Sequence, residues 1–247
     1  MHPPVRGPDP NGAARGYRLW LLGGWRLTYR GADVPQPASA QRLLALLALR
    51  GERERSYLAR TLWPASMPGQ ALTNLRATLA RLRTEGQPLI RANGGLLALA
   101  DLAFVDATEL VARAVRLLDP ATDVGDGTAD SALLVSGDLL PGWYDDWVLV
   151  ERERLRELRL MGLEALAERL RQDGRHAGAI DAALAATQIE PLRETAYRTI
   201  VRIHLAEGNV VEALRRYERF ADLLHRELGV SPTSHLRRLI RPFRPGA

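Results

Sequence analysis

The chain has 247 residues, enough for two compact domains, and no cysteine, which excludes disulfides, thiolate zinc sites and cysteine nucleophiles. Its net charge of +5 is unevenly distributed: residues 17–100 hold 12 arginines and 4 acids, whereas residues 101–150 hold 2 arginines and 10 acids. A basic block beside an acidic one is typical of a nucleic-acid-binding module followed by a second module. The longest apolar run is too short to cross a bilayer and the amino terminus lacks a signal peptide, so we expect a cytoplasmic protein without membrane contact.

The first hundred residues predict a disordered tail, a small sheet, three helices and a closing hairpin. Residues 1–16, rich in proline and glycine, form the predicted tail. Residues 17–22 and 25–29 alternate around a Gly-Gly turn, and an edge segment begins at Val34 after a second turn. This order of elements predicts a winged helix-turn-helix domain.

The three predicted helices are bounded by local signals. Ser39 is a candidate N-cap for the first helix, which Gly51 ends, and the second helix spans residues 55–62 before Pro64. Ser66 is a candidate cap for the third helix, which we expect to end near Gly86. Residues 89–99 predict the hairpin, with its turn at residues 93–95.

The third helix is the predicted DNA-reading element. Its leucines at positions 72, 75, 79 and 82 form an apolar stripe, and the opposite face is polar and carries arginine, as a major-groove helix requires. We expect Arg81 to reach a guanine edge, Asn74 an adenine edge, and Arg76 and Arg83, nearer the rim, to bind phosphate. The candidate DNA contacts on this helix are Gln70, Thr73, Asn74, Arg76, Ala77, Arg81 and Arg83.

Further arginines are candidates for phosphate contacts. Arg42 begins the first helix, Arg60 lies in the second helix near Arg53 and Arg55, and Arg91 precedes the hairpin turn, where it suits phosphate or the minor groove. The same residues have simpler interpretations, because charged helix faces are commonly just solvated.

Two specific alternatives stay open for the third helix. Arg76 or Arg83 is also suited to pairing with an acid such as Asp145 or Glu151, and Thr73 and Asn74 to hydrogen bonds with their own backbone.

The second half of the chain is predicted to be helical. A helix runs over residues 105–118 with Asp106 near its start, and the acidic, glycine-rich residues 119–130 predict a linker. Residues 160–228 repeat with a period of 34, the tetratricopeptide value, which aligns Gly174 with Gly208 and Ala179 with Ala213. Because two copies are few for a solenoid, we expect the helix from Glu151 and residues 235–240 to cap the stack.

The sequence shows no catalytic constellation, metal-ligand set or cofactor motif, so we predict that the protein is not an enzyme. Its five histidines have no metal spacing, and His204, inside a repeat helix, is expected to be packed. Asp145 and Asp146 are interpreted as capping residues rather than an acid–base pair. The aromatic residues Trp143, Tyr144 and Trp147 either form a docking patch for a partner or, as we favour, hold a linker against the next helix; Trp25 and Trp63 are core candidates.

The ordered set of motifs resembles the Streptomyces antibiotic regulatory protein family of transcriptional activators. The motifs that carry the resemblance are Leu21-Leu22-Gly23 and the segments at residues 41–47, 58–64, 74–83, 142–148, 190–194, 213–217 and 227–232. In that family an OmpR-type winged helix precedes a bacterial transcriptional activation domain of tetratricopeptide-like helices. The family commonly has a valine-containing, strand-like turn before the second helix, where this chain has the charged residues 51–56.

The resemblance implies a mainly α fold with a small β component. The implied domains are the tail (residues 1–16), the winged helix (17–100), a connecting helix and acidic linker (101–142) and the activation domain (143–247). It implies an activator that binds direct repeats in double-stranded DNA as two or more protomers, recruits RNA polymerase, controls secondary-metabolite genes and is nucleoid-associated when bound. The alternative is a protein-interaction scaffold with a degenerate winged helix.

Overall fold

The computed structural model describes residues 16–85, 87–100, 104–119, 121, 123, 125 and 127–243. The chain divides into two compact units: Met1–Thr108 with Leu140–Gly142, and Glu109–Leu139 with Trp143–Ala247. The predicted disordered tail (residues 1–16) lies outside the described residues except for Gly16, and part of the predicted linker at residues 119–130 also lies outside them.

A four-stranded sheet opens the amino-terminal unit. Strands β1 (Tyr17–Trp20), β2 (Arg26–Tyr29) and β3 (Ala32–Asp33) pair antiparallel, as predicted for the first two. The edge strand begins at Ala32 rather than at Val34, because Arg30 and Gly31 both adopt positive φ and form a two-residue turn that places Ala32 opposite Tyr29.

The three predicted helices are present as α1 (Ala38–Arg50), α2 (Arg55–Leu62) and α3 (Pro68–Ala80). The predicted end of α1 is confirmed, since Gly51 follows it at φ +70°, and the bounds of α2 are confirmed. Neither predicted serine N-cap is correct: α1 starts after Pro37 and α3 after Met67. In α3 Pro68 occupies the first turn, where its missing N–H costs no helical hydrogen bond.

The predicted end of α3 near Gly86 is wrong, because the chain leaves the helix after Ala80. The Gln36 side-chain amide hydrogen-bonds both backbone groups of Arg83: Nε2 donates to the Arg83 carbonyl (2.6 Å), and the Arg83 N–H donates to Oε1 (3.1 Å). The Arg83 N–H is therefore unavailable for a helical bond to Leu79. The Tyr17 hydroxyl holds the next residues through the backbone of Glu85.

The predicted hairpin is the wing of the unit. It consists of β5 (Ile90–Asn93) and β6 (Leu96–Leu99), joined by Gly94 and Gly95. The charged segment before α2 forms a strand without valine: β4 (Arg53–Glu54) pairs with β6. Hydrogen bonds between strands use only the backbone. Pairing with β6 therefore lets residues 53–54 form a strand although their charged side chains do not favour one.

The unit closes with β7 (Phe104–Val105), which pairs parallel to β1 and leads into helix α4 (Asp106–Leu118). Asp106 was expected only to complement the helix dipole. It is 3% exposed, and its carboxylate accepts hydrogen bonds from the N–H groups of Leu21 (2.8 and 3.0 Å), Leu22 (2.9 Å) and Ala107 (2.7 Å). One carboxylate thus joins the start of α4 to the first hairpin.

The carboxy-terminal unit is a stack of helices. It contains α4 from Glu109 onward, α5 (Thr128–Leu134), α6 (Asp146–Gln172), α7 (His176–Ile189), α8 (Glu194–Ala206), α9 (Val210–Leu228) and α10 (Ser234–Ile240), followed by a 3-10 turn at Arg241–Phe243. Helix α5 begins inside the segment that was predicted to be a linker. Asp145 immediately precedes α6 and Asp146 lies in its first turn, where negative charge suits the helix dipole.

The predicted repeat is confirmed by matching helix ends. Gly174 and Gly208, 34 residues apart, have φ of +73° and +76°. After each glycine a backbone N–H donates to the carbonyl five residues back at 2.8 Å, Arg175 to Leu170 and Asn209 to His204. Ala179 and Ala213 are both fully buried, as close helix packing requires. The same turn therefore joins α6 to α7 and α8 to α9.

The prediction that residues 235–240 cap the stack is also confirmed. Leu236 and Ile240 of α10 are buried in a cluster with Val201, Tyr217 and Phe220. The amino-terminal cap is longer than expected, since α6 starts at Asp146 and also supplies the first repeat helix. Of the aromatic residues near this start, Trp147 is buried, Trp143 is half-buried and Tyr144 is exposed; Trp25 and Trp63 are half-buried rather than core residues.

Replacement of Gly208 by alanine is expected to destabilise the carboxy-terminal unit by about 1 kcal/mol, because a Cβ disfavours positive φ. No atom lies within 4 Å of the position of such a Cβ, so the cost is conformational rather than steric. Urea unfolding followed by circular dichroism measures it. Gly208→Asn is the matched control and should lose less, since asparagine tolerates this conformation; equal losses for the two variants would contradict the explanation.

Candidate nucleic-acid interface

Helix α3 is rotated relative to the predicted stripe. Its buried residues are Ala71, Leu75 and Thr78, whereas Leu72 and Leu79 are only half-buried. Small side chains at positions 71 and 78 let the helix pack closely in its unit, and hydrophobicity alone does not identify such positions. The leucine stripe therefore does not mark the centre of the buried face.

The rotation changes which residues face solvent. Gln70, Thr73, Arg76 and Ala80 are exposed, and Asn74 and Ala77 are half-buried. Arg76, predicted at the rim, lies within the exposed face. Arg81, predicted at its centre, is exposed but follows the last helical residue as the C-cap.

The polar residues of the first turns bond locally. The Thr73 hydroxyl donates to the Gly69 carbonyl at 3.0 Å, and the Gln70 amide donates to Asn74 Oδ1 at 3.0 Å. Thr73 thus bonds the backbone of its own helix, as the alternative interpretation predicted, although its side chain stays exposed. Each of these groups retains acceptor or donor capacity toward a ligand.

Other elements of the amino-terminal unit also carry exposed arginines. Arg60 on α2, Arg83 after α3 and Arg91 on the wing strand β5 are exposed, whereas Arg42 on α1 is half-buried. In the described part of the amino-terminal unit, no carboxylate lies within ion-pair distance of the Arg60, Arg76 or Arg83 side chains. Glu151, a proposed alternative partner, pairs with Arg154 of its own helix at 3.4 Å.

The start of α2 has its own cation cluster. Arg53 lies over the Tyr57 ring, 5.8 Å from its centroid, and Arg50 donates to the Tyr57 hydroxyl. Burial raises the pKa of Tyr57, but the hydrogen bond and charge of Arg50 outweigh burial and leave that pKa below its ordinary value. These two arginines are thus partly engaged, and Arg60 is the better candidate of α2.

Other chemistry has little support in the described residues. They contain no group of three or more metal-ligating side chains, and none of their helices is long and apolar enough to span a bilayer. His204 is half-buried with both ring nitrogens covered, in agreement with the predicted packing role. The arrangement as a whole offers cations on an amino-terminal surface and apolar helix packing in the carboxy-terminal unit.

Comparisons with known proteins agree with this architecture. The sequence pattern of the bacterial transcriptional activator domain family matches residues 100–244. The fold is similar to that of Mycobacterium tuberculosis EmbR, solved in complex with a low affinity phosphopeptide, with a TM-score of 0.73 and 21% identity over 94% of this chain. The chain spans 66% of the EmbR chain, and no curated protein matches it.

The family match covers more than half of the chain, and the EmbR likeness reaches across the winged helix as well. The predicted fold class, a winged helix followed by tetratricopeptide-like helices, is confirmed, and the family and fold are those of transcriptional regulators. The chain belongs to the bacterial transcriptional activator domain family, of the type found in Streptomyces antibiotic regulatory proteins.

Proposed function

We propose that the protein activates transcription by binding DNA sequence-specifically through its winged helix. Helix α3 enters the major groove and the wing contacts the adjacent minor groove. The observation that carries the proposal is the exposed face of α3, where Arg76 has no carboxylate partner in the described part of its unit. An arginine that is solvated and unpaired can bind a base edge or phosphate without first breaking an ion pair.

The proposed contacts fall into two classes. Arg76 and Arg81, with Gln70, Thr73, Asn74 and Ala77, face the bases, and the other arginines bind phosphate. Those phosphate contacts are Arg42, Arg60, Arg83 and Arg91. Residues 17–100 form the DNA-binding domain, 101–142 the connector and 143–247 the activation domain.

We infer the finer function from the family resemblance, as part of the same proposal. Two or more protomers bind direct repeats near a promoter, and the helical stack contacts RNA polymerase or a neighbouring protomer. Control of secondary-metabolite genes is the implied biological role. Genome-wide mapping of bound DNA tests these points together, because a spaced repeat upstream of such genes supports them and an absence of enriched sites contradicts them.

A gel-shift titration of the full chain against salt tests DNA binding itself. The four proposed phosphate-binding arginines of each protomer predict an affinity loss of about 10²-fold between 50 and 200 mM salt. Arg91→Gln should reduce the slope of log affinity against log salt by about 1. Arg26→Gln is the matched control, because Arg26 already pairs with Asp33 at 2.8 Å in the amino-terminal sheet. Undetectable binding at low salt would favour the scaffold alternative, a helical interaction protein with a degenerate winged helix.

A further inference from the structure

A basic concavity lies between helices α8 and α10 of the carboxy-terminal unit. It is open to solvent, has a volume of about 550 Å³ and is lined by Arg198, Arg202, His235, Arg238 and Leu239. Arg198 and Arg202 are one helical turn apart on α8, and Arg238 is one turn from Ser234 on α10. Three permanent positive charges thus line one recess, and none of the described residues that line it is acidic.

Two acids next to the elements that form this recess, Glu194 and Glu168, are engaged in other hydrogen bonds. Glu194 accepts hydrogen bonds from the Thr233 N–H (2.7 Å) and hydroxyl. The Glu168 carboxylate accepts a hydrogen bond from Arg171 (2.7 Å). This hydrogen bond is the largest cause of the lowered pKa of Glu168, and the charge of Arg202 makes a smaller contribution. Among the described residues of this unit, no carboxylate lies within ion-pair distance of the three lining arginines.

The recess is held by packed elements. Leu236 and Ile240 anchor α10 in the core, and Glu194 fixes its start through Thr233. The Arg238 guanidinium is itself oriented: Nε donates to the Ser234 carbonyl (3.2 Å), and one terminal nitrogen lies 2.9 Å from His235 Nδ1. Because the Arg238 guanidinium is positioned before any ligand arrives, that side chain loses little entropy on binding.

We propose that this recess binds a phosphomonoester or inorganic phosphate dianion. A single carboxylate would neutralise one of the three charges and offer two oxygens, whereas a phosphate dianion brings about two charges and three acceptor oxygens. Guanidinium groups donate to such oxygens in pairs, so arginines from two helices can hold one group from different sides. The site lies on the carboxy-terminal unit, and its existence does not depend on DNA binding by α3.

Isothermal titration of the full chain at pH 7.5 and constant ionic strength tests the proposal with three probes: inorganic phosphate, O-phosphoserine and dimethyl phosphate. The two dianions should bind, and dimethyl phosphate, a singly charged diester like the DNA backbone, should bind at least about tenfold more weakly. Equal affinity for phosphate and O-phosphoserine would show that the recess recognises the phosphate group alone. Tighter binding of O-phosphoserine would identify an organic phosphomonoester as the preferred ligand.

Variants locate the site. Arg202→Gln and Arg238→Gln should each weaken phosphate binding about tenfold. Arg237→Gln, an exposed neighbour on α10 that does not line the recess, should leave it unchanged. Circular dichroism establishes that each variant is folded. If Arg238→Gln disturbs α10, the Arg202→Gln variant on α8 still tests the site. The proposal is overturned if dimethyl phosphate binds as tightly as phosphate, if all three variants behave alike, or if duplex DNA displaces O-phosphoserine.

Discussion

Replacement of Arg76 by alanine is expected to weaken binding to the specific DNA site by roughly 5- to 150-fold, the equivalent of about 1–3 kcal/mol for a bidentate base contact. Arg76 is exposed on α3 and has no ion pair in the described part of its unit, so its removal costs no packing. Alanine is the best helix former, and α3 should therefore keep its helicity. Binding to a scrambled duplex should fall by no more than the loss of one positive charge predicts.

The measurement compares specific and scrambled duplexes, with the specific sequence obtained by selection from a random library. Arg26→Ala is the matched control, since it removes the same charge from the amino-terminal sheet. We expect Arg81→Ala also to lower specific affinity, but by less, because Arg81 follows the last helical residue. If Arg81→Ala abolishes specificity and Arg76→Ala does not, the bases are read from the carboxyl end of α3 and the assignment of Arg76 is wrong.

The position of Arg76 also shows what periodicity can and cannot predict. The leucine spacing correctly indicated a helix with one buried side. It misplaced the centre of that side, because Ala71 and Thr78 pack closely although neither is strongly apolar. A rotation of this size decides whether a given arginine faces a groove or a rim, so the candidate site was less predictable than the helix that carries it.

Turns and helix ends at glycines were predicted well, whereas the two serine N-caps, also local signals, were not. Gly51, the two-glycine turn of the wing and the glycines 34 residues apart each act within a few residues of chain. Features that depend on distant partners were missed. Gln36 ends α3 from 47 residues away, and strand β4 exists because β6 lies beside it. No pattern within residues 80–86 or 51–56 contains that information.

For Asp106, the local position near the start of a helix was predicted, but the distant hydrogen-bond partners were missed. Its replacement by alanine is expected to destabilise the amino-terminal unit by about 3–5 kcal/mol. The carboxylate accepts hydrogen bonds from the buried Leu21 N–H and from the Leu22 N–H, 85 and 84 residues away along the chain respectively. Alanine would leave these donors without that acceptor, and the cost of a buried, unsatisfied amide is about 1–3 kcal/mol each.

Hydrogen exchange provides a local readout of this contact, because the Leu21 and Leu22 amides should lose their protection in Asp106→Ala before the rest of the unit does. Urea unfolding of the same variant gives the total loss. Asp33→Asn is the matched control: its carboxylate is exposed and pairs with Arg26 on the surface, so its replacement should cost less than about 1 kcal/mol. Since β1 and α4 meet through Asp106, its loss should also weaken DNA binding by lowering the folded fraction, and that defect should disappear at low temperature or in stabilising osmolyte. If the two amides stay protected in Asp106→Ala, the carboxylate is not what joins the hairpin to α4.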